Sequence, residues 1–138
     1  MKPLIYCRFG NIQQTLRDNC ILYLYSKNGD NLKEQETFLK NYCKIWSLTP
    51  SKIYKDFGKN TLDNKHNLKK LLLENQNKDI LVINNTRLSR NYDDMFYIAD
   101  ICEENNLRIF STRENEFLFD EYFNVIRKIQ NKILDDEL

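Results

Sequence analysis

Two arginines three positions apart, Arg87 and Arg90, are spaced so that both could bind one phosphate group. Arginine keeps its charge at physiological pH, and its planar guanidinium group can bind two phosphate oxygens at once. Residues three apart at the start of a helix share a face, so the two side chains can point the same way. The same arginines also fit a solvated helix start, or ion pairs with Asp93 and Asp94.

A serine stands where a predicted strand meets a polar loop. Residues 21–25 are apolar and aromatic, and Ser26 follows them directly, ahead of Lys-Asn-Gly-Asp. Serine, asparagine, glycine and aspartate favour turns because their side chains or backbones suit local hydrogen bonding, so Ser26 could be a turn residue alone. It could also be a functional hydroxyl, because loops at the carboxyl ends of parallel strands carry many active sites.

The hydrophobic pattern alternates between strands and helices along the chain. The expected strands are residues 21–25, 51–55, 79–84 and 107–111. The expected helices are residues 31–47, 67–76, 91–106 and 116–134. This alternation predicts a three-layer α/β fold with a central, mostly parallel sheet of four to five strands flanked by helices. Residues 1–138 are expected to form one domain, with residues 1–20 as an atypical strand–loop extension.

Composition excludes several classes of function. With 21 basic and 20 acidic residues the formal net charge is +1, which argues against a uniformly basic nucleic-acid-binding domain but allows a local basic site. No apolar run reaches the roughly 20 residues that span a bilayer, and the N-terminus lacks a secretory signal, so a cytoplasmic protein is expected. Four separated cysteines and one histidine suggest neither a metal site nor a disulfide framework. No cofactor is expected.

From about Ile21 to Thr112 the chain resembles the catalytic domains of serine recombinases, the resolvases and invertases, in the order and spacing of its segments. Ser26 and Gln35 match the family's nucleophilic serine and the glutamine nine residues later. Residues 81–91, Leu-Val-Ile-Asn-Asn-Thr-Arg-Leu-Ser-Arg-Asn, are similar to the family's strand followed by Asp-Arg-Leu-Ser-Arg. The resemblance implies the same resolvase-like, flavodoxin-like topology.

The resemblance also implies a chemistry. In the family a serine hydroxyl attacks a DNA phosphodiester, which gives a 5′-phosphoserine link and a free 3′-hydroxyl. Carried over to this sequence, Ser26 is the nucleophile, Gln35 supports it, and Arg87 and Arg90 bind the phosphate. Residues 56–63 resemble the family's acidic-glycine loop. Fixed guanidinium groups suit this reaction because they stabilise the negative charge that spreads over the phosphoryl group.

Several expected groups of the family site are replaced. The arginine expected two places before the nucleophile is Leu24, and the acidic residue expected before the arginine pair is Thr86. The arginine expected in the loop after the second strand is Asn64 or Lys65, and a lysine would supply charge without the bidentate fork. Removing one preorganised donor can cost roughly 10²–10³ in rate. These replacements favour an impaired or inactive enzyme.

A further cation stands in the N-terminal extension. Arg8 lies in the context Ile-Tyr-Cys-Arg-Phe-Gly, which resembles the family's opening strand, with Gly10 in the place of the serine. If this segment lies beside the strand before Ser26, then Arg8 could bind the phosphate together with Lys65. Chance similarity between two strand–loop segments explains this resemblance equally well.

The predicted C-terminal helix, residues 116–134, bears on the partners. Its wide apolar stripe would pack on the sheet or pair with a second copy, and a homodimer is expected. The acidic end, residues 135–138, would repel DNA, and no separate DNA-binding domain is expected after it.

Two functions of different classes remain open. One is a serine site-specific recombinase-like domain from mobile DNA such as a plasmid, phage or transposon, impaired in strand cleavage and binding DNA weakly. The other is a catalytically inactive assembly or regulatory partner that binds itself or a full-length recombinase. A receiver domain is disfavoured, because the central strand ends in Asn84-Asn85 and not in aspartate.

Overall fold

Strands and helices alternate along the protein in a computed structural model that describes residues 5–6, 13–119, 123, 126, 128–129 and 132–133. The strands are β1 (Ile5–Tyr6), β2 (Gln13–Gln14), β3 (Asn19–Ser26), β4 (Thr49–Phe57), β5 (Asp79–Val82), β6 (Arg108–Ser111) and β7 (Glu116–Phe117). The helices are α1 (Leu32–Ile45), α2 (His66–Glu74) and α3 (Tyr92–Asn105), with 3₁₀ turns at Leu62–Asn64 and Asn85–Arg87.

Within the described residues, five strands form one sheet in the order β4-β3-β5-β6-β7. The first four in this order run parallel, and β7 is antiparallel to β6. β1 and β2 pair with each other in a separate two-stranded sheet. The predicted α/β fold with a mostly parallel sheet is therefore confirmed, and the carboxyl ends of β3, β4 and β5 meet at one edge.

The central position of β3 follows from its sequence, which is buried on both faces from Cys20 to Ser26. Successive side chains of a strand point to opposite faces. The side chains packed in one cluster with residues of α2 and α3 are Ile21, Tyr23 and Tyr25. Those packed in a second cluster with residues of α1 are Cys20, Leu22 and Leu24. Helices thus cover the sheet on both faces, giving three layers.

β4 is the exposed edge strand of this sheet. It begins two residues before the predicted residues 51–55 and includes Pro50. Proline donates no backbone hydrogen bond, which an edge strand tolerates at its beginning. The strand ends at Phe57, and the following Gly58 leads into the loop that reaches the sheet's carboxyl edge.

The helix predicted from Glu116 does not begin there. Glu116–Phe117 form β7, in which Phe117 pairs with Phe110 and packs edge-on against its ring at a centroid distance of 5.3 Å. Burial of this aromatic pair on the sheet outweighs the local helical pattern. The described residues farther along, 123, 126, 128–129 and 132–133, are helical. Residues 135–138, three of which are acidic, lie outside the described residues.

A buried carboxylate fixes the opposite, amino edge of the sheet. Asp79, at the start of β5, is fully buried and accepts hydrogen bonds from Arg17 and from Arg108. These contacts join the segment before β3 to β5 and β6. Among the described residues, no helix has both the length and the apolar character that crossing a bilayer requires.

Candidate functional site

A cleft of about 440 Å³ opens at the carboxyl edge of the sheet. The loops after β3, β4 and β5 form it. Its lining residues are Tyr25, Lys27, Lys59, Asn60, Thr61, Thr86, Arg87 and Arg90. Four of these residues are cationic and none is acidic, so we call it the basic cleft. A ligand with negative charge fits such a lining best.

Ser26 ends β3 between two residues that line the basic cleft, Tyr25 and Lys27. The serine is only 4% exposed. Its hydroxyl donates a hydrogen bond to Oδ1 of Asn28, at an oxygen–oxygen distance of 3.4 Å, and its carbonyl accepts one from the amide of Gly58. In the described part of the chain, the hydroxyl's partner is thus an amide oxygen, which cannot serve as a general base.

The side chain of Gln35 forms hydrogen bonds with the backbone of Tyr25, immediately before Ser26. Its side chain is buried, its Nε2 donates to the Tyr25 carbonyl at 2.7 Å, and its Oε1 accepts from the Tyr25 amide at 3.2 Å. The glutamine therefore continues the pairing of β3 through its side chain. This fixes the strand end that presents Ser26.

Both arginines of the pair line the basic cleft. The turn Asn85–Arg87 directs Nη1 of Arg87 to the Tyr25 carbonyl at 3.2 Å, and Nε of the same side chain is buried without a partner among the described residues. Arg90 is exposed and lines the same cleft. The structure thus brings the strand end at Ser26 and both arginines to one place.

Tyr25 is a part of the site that the sequence pattern did not reveal, because its type and position fit a core strand. Its hydroxyl donates to the Gly58 carbonyl, and its carbonyl accepts from both Gln35 and Arg87. Burial raises the pKa of the Tyr25 hydroxyl, while Arg90 and Arg87 act in the opposite direction. Tyr25 thereby joins the loops that surround the basic cleft.

Lys65, predicted to bind phosphate, has a different role in the structure. The side chain is fully buried, and Nζ donates to Oδ1 of Asn60 and to the carbonyls of Arg87 and Leu88, at 2.5, 2.8 and 2.5 Å. An ammonium group has three donors, so none is left for a phosphate. Burial lowers the pKa of Lys65 to about 7. Lys65 instead connects the loop after β4 to the turn Asn85–Arg87 and the adjoining Leu88.

The other replaced positions supply no cation either. Leu24 is fully buried in the cluster packed against α1. The Thr86 hydroxyl donates to Oδ1 of Asn84 at 2.5 Å, and Asn64 Nδ2 donates to the carbonyl of Lys59 at 3.1 Å. Arg8 lies outside the described residues, so its predicted approach to Ser26 stays a prediction.

Lys27 and Lys59 line the basic cleft, although sequence reasoning did not single them out. Each stands in the loop that follows a parallel strand, and this position was the available signal. Lysines in loops are common, however, and only the fold shows that these two loops adjoin.

Comparison with known proteins found a matching family model and several similar solved structures. The family model "Resolvase, N terminal domain" matches residues 21–133. The chain is similar to the N-terminal catalytic domain of TP901-1 integrase, with a TM-score of 0.67 and 22% identity over 86% of this chain and 95% of that one. It is also similar to a resolvase family site-specific recombinase from Streptococcus pneumoniae, with a TM-score of 0.63 and 15% identity over 86% and 89% of the respective chains.

A third similar structure is the C-terminal catalytic domain of ISC1926 TnpA, an IS607-like serine recombinase. Its TM-score is 0.58 at 20% identity, over 67% of this chain and 66% of that one. No curated protein sequence matches the chain significantly. At these identities the structural likeness establishes the fold.

Proposed function

The chain belongs to the resolvase N-terminal domain family, and from this premise we propose that it is a recombinase-like domain that binds DNA phosphates in the basic cleft but cleaves DNA poorly. The observation that carries the proposal is that Arg87 and Arg90 line one cleft with Tyr25 and Lys27, the two neighbours of Ser26, and that this lining contains no carboxylate. A phosphodiester carries negative charge and oxygen acceptors, which match guanidinium groups.

The reaction that this arrangement supports is attack by Ser26 Oγ on the phosphorus of a DNA phosphodiester. A bond forms between Oγ and phosphorus, the bond from phosphorus to the 3′-oxygen breaks, and the serine proton passes in net terms to that oxygen. Arg87 and Arg90 would stabilise the charge on the phosphoryl oxygens during the transfer.

Three contacts or positions in the fold support the proposal of slow cleavage. Leu24 is buried in the core, and the Lys65 ammonium is fully used within the fold, so neither position offers a cation to the phosphate. The Ser26 hydroxyl also donates to the amide oxygen of Asn28, and an amide oxygen cannot act as a general base for the serine proton. With about 10²–10³ in rate lost for each missing preorganised donor, binding can survive where cleavage does not.

A binding experiment with a short fluorescent DNA duplex tests the proposal. Arg90→Ala is expected to weaken binding about tenfold, the order expected for loss of a charged hydrogen bond. Lys44→Ala, an exposed lysine in the last turn of α1, is the matched control and should bind like the wild-type protein. Equal binding by Arg90→Ala and wild type would overturn the proposal.

The buried position of Leu24 favours a second candidate, an inactive assembly partner. In that case the fold would serve a homodimer or a complex with a full-length recombinase, and the basic cleft would not bind DNA. Light scattering of the protein alone and mixed with such a recombinase distinguishes the two. A stable complex combined with no DNA binding supports the assembly partner.

A further inference from the structure

We propose that Lys27 and Lys59 bind the nucleic-acid backbone in the basic cleft and replace the charge that Leu24 and Lys65 do not supply. This inference rests on the proposed function. It adds two phosphate-binding residues to the arginine pair.

The two lysines come from loops that are joined to each other. Lys27 directly follows Ser26, and Lys59 directly follows Gly58. The amide of Gly58 lies 2.9 Å from the Lys27 carbonyl and 3.2 Å from the Ser26 carbonyl and donates to both. Since the backbone holds the two loops together, both lysine side chains line one cleft with the arginine pair.

The charges of these lysines are not neutralised within the described part of the chain. Other lysines form ion pairs there: Lys40 and Lys55 with Glu36, Lys69 with Asp63, and Lys70 with Glu74. Among the described residues, neither Lys27 nor Lys59 forms an ion pair, and both are exposed. Uncompensated cations around a cleft raise the local concentration of anions.

The number of cations indicates the size of the ligand. Lys27, Lys59, Arg87 and Arg90 supply four positive charges, while one phosphodiester carries a single negative charge. Successive phosphates of a nucleic-acid strand match this charge better than a lone phosphate does. A lysine is a point charge without the arginine fork, so the two lysines would strengthen binding without restoring fixed stabilisation of the transferring phosphoryl group.

The test measures binding of a short fluorescent DNA duplex over a range of salt concentrations. Lys27→Ala and Lys59→Ala should each weaken binding and reduce the magnitude of the negative slope of log affinity against log salt by about one, the value for one lost phosphate contact. Lys27→Arg and Lys59→Arg should retain the wild-type slope. Lys44→Ala is the control for removing an exposed lysine, and circular dichroism verifies that each variant is folded.

The outcomes separate this inference from the proposed function. If Arg90→Ala weakens binding while both lysine-to-alanine variants behave like Lys44→Ala, the inference is overturned and the proposed function stands. If the wild-type protein does not bind the duplex, the proposed function fails and the inference fails with it. Reduced slopes for both lysine-to-alanine variants, with recovery in the arginine variants, support the inference.

Discussion

At the scale of single residues, three side chains hold the backbone around the basic cleft: Gln35 and Arg87 donate to the Tyr25 carbonyl, and Lys65 donates to the Arg87 carbonyl. The family spacing pointed to Ser26, Gln35, Arg87 and Arg90; the two arginines line the basic cleft, and Ser26 stands between the lining residues Tyr25 and Lys27. The spacing could not show that Gln35 binds backbone, because the path of the neighbouring strand decides that contact. The contacts of Lys65 could not be predicted for the same reason, since its three acceptors lie in two segments that are distant in sequence, at Asn60 and at Arg87 and Leu88.

The buried ammonium of Lys65 makes stability depend on pH. Burial lowers its pKa to about 7 from 10.5, with Arg87 acting in the same direction and Asp56 and Asp94 opposing it. Between these pH values the unfolded chain binds more protons at this residue than the folded chain does. The Lys65 contribution to the free energy of unfolding should therefore rise as pH increases from about 7 towards 10.5.

Urea denaturation of the wild-type protein and of Lys65→Met at several pH values in this range tests the prediction. The difference in unfolding free energy between the two proteins should change in favour of the wild type as pH rises. A difference that is constant across the range would contradict a lowered pKa for Lys65.

At the scale of elements, the loop after β4 depends on a glycine. Gly58 has φ +113, and a Cβ there would lie 2.5 Å from Nδ2 of Asn64, which itself donates to the carbonyls of Phe57 and Lys59. Gly29 also has positive φ, at +84, but a Cβ there would meet no atom within 4 Å. Comparing substitutions at the two glycines therefore distinguishes the cost of backbone strain from the cost of a steric clash.

We expect Gly29→Ala to lower the free energy of unfolding by about 1 kcal/mol, the cost of the backbone conformation alone. Gly58→Ala should lower it by about 2–3 kcal/mol, because the clash and the lost hydrogen bonds add to the strain. Chemical denaturation measures both values. Adding Asn64→Ala to Gly58→Ala should relieve part of the extra loss, and equal losses in the two single variants would refute the steric contribution.

Element types followed from the sequence more closely than element ends. The helices predicted at residues 31–47 and 91–106 are observed at Leu32–Ile45 and Tyr92–Asn105. The prediction was close because each helix has a continuous apolar stripe against the sheet. The start of the last predicted helix was wrong, since pairing of Phe117 with Phe110 draws Glu116–Phe117 into the sheet. The local hydrophobic periodicity of the sequence does not indicate pairing of this kind between separate segments.

At the scale of the whole molecule, a nearly neutral chain carries a local concentration of positive charge. The formal net charge is +1, yet the lining of the basic cleft has four cations and no carboxylate. At the opposite edge, Asp79 pairs with Arg17 and Arg108 and stabilises the fold. Net charge alone therefore does not reveal this local concentration of positive charge, which arises because the loops after the parallel strands meet at one edge of the sheet.

The central claim, that the cleft retains DNA binding while Ser26 cleaves poorly, is tested most directly by covalent trapping on supercoiled DNA. Wild-type protein and Ser26→Ala are incubated with the DNA, denatured and examined for a protein–DNA adduct, while binding is measured in parallel. We predict that both proteins bind the DNA equally and that neither accumulates an adduct. A rapidly formed adduct in the wild-type sample that is missing from Ser26→Ala would contradict the claim and show an active recombinase.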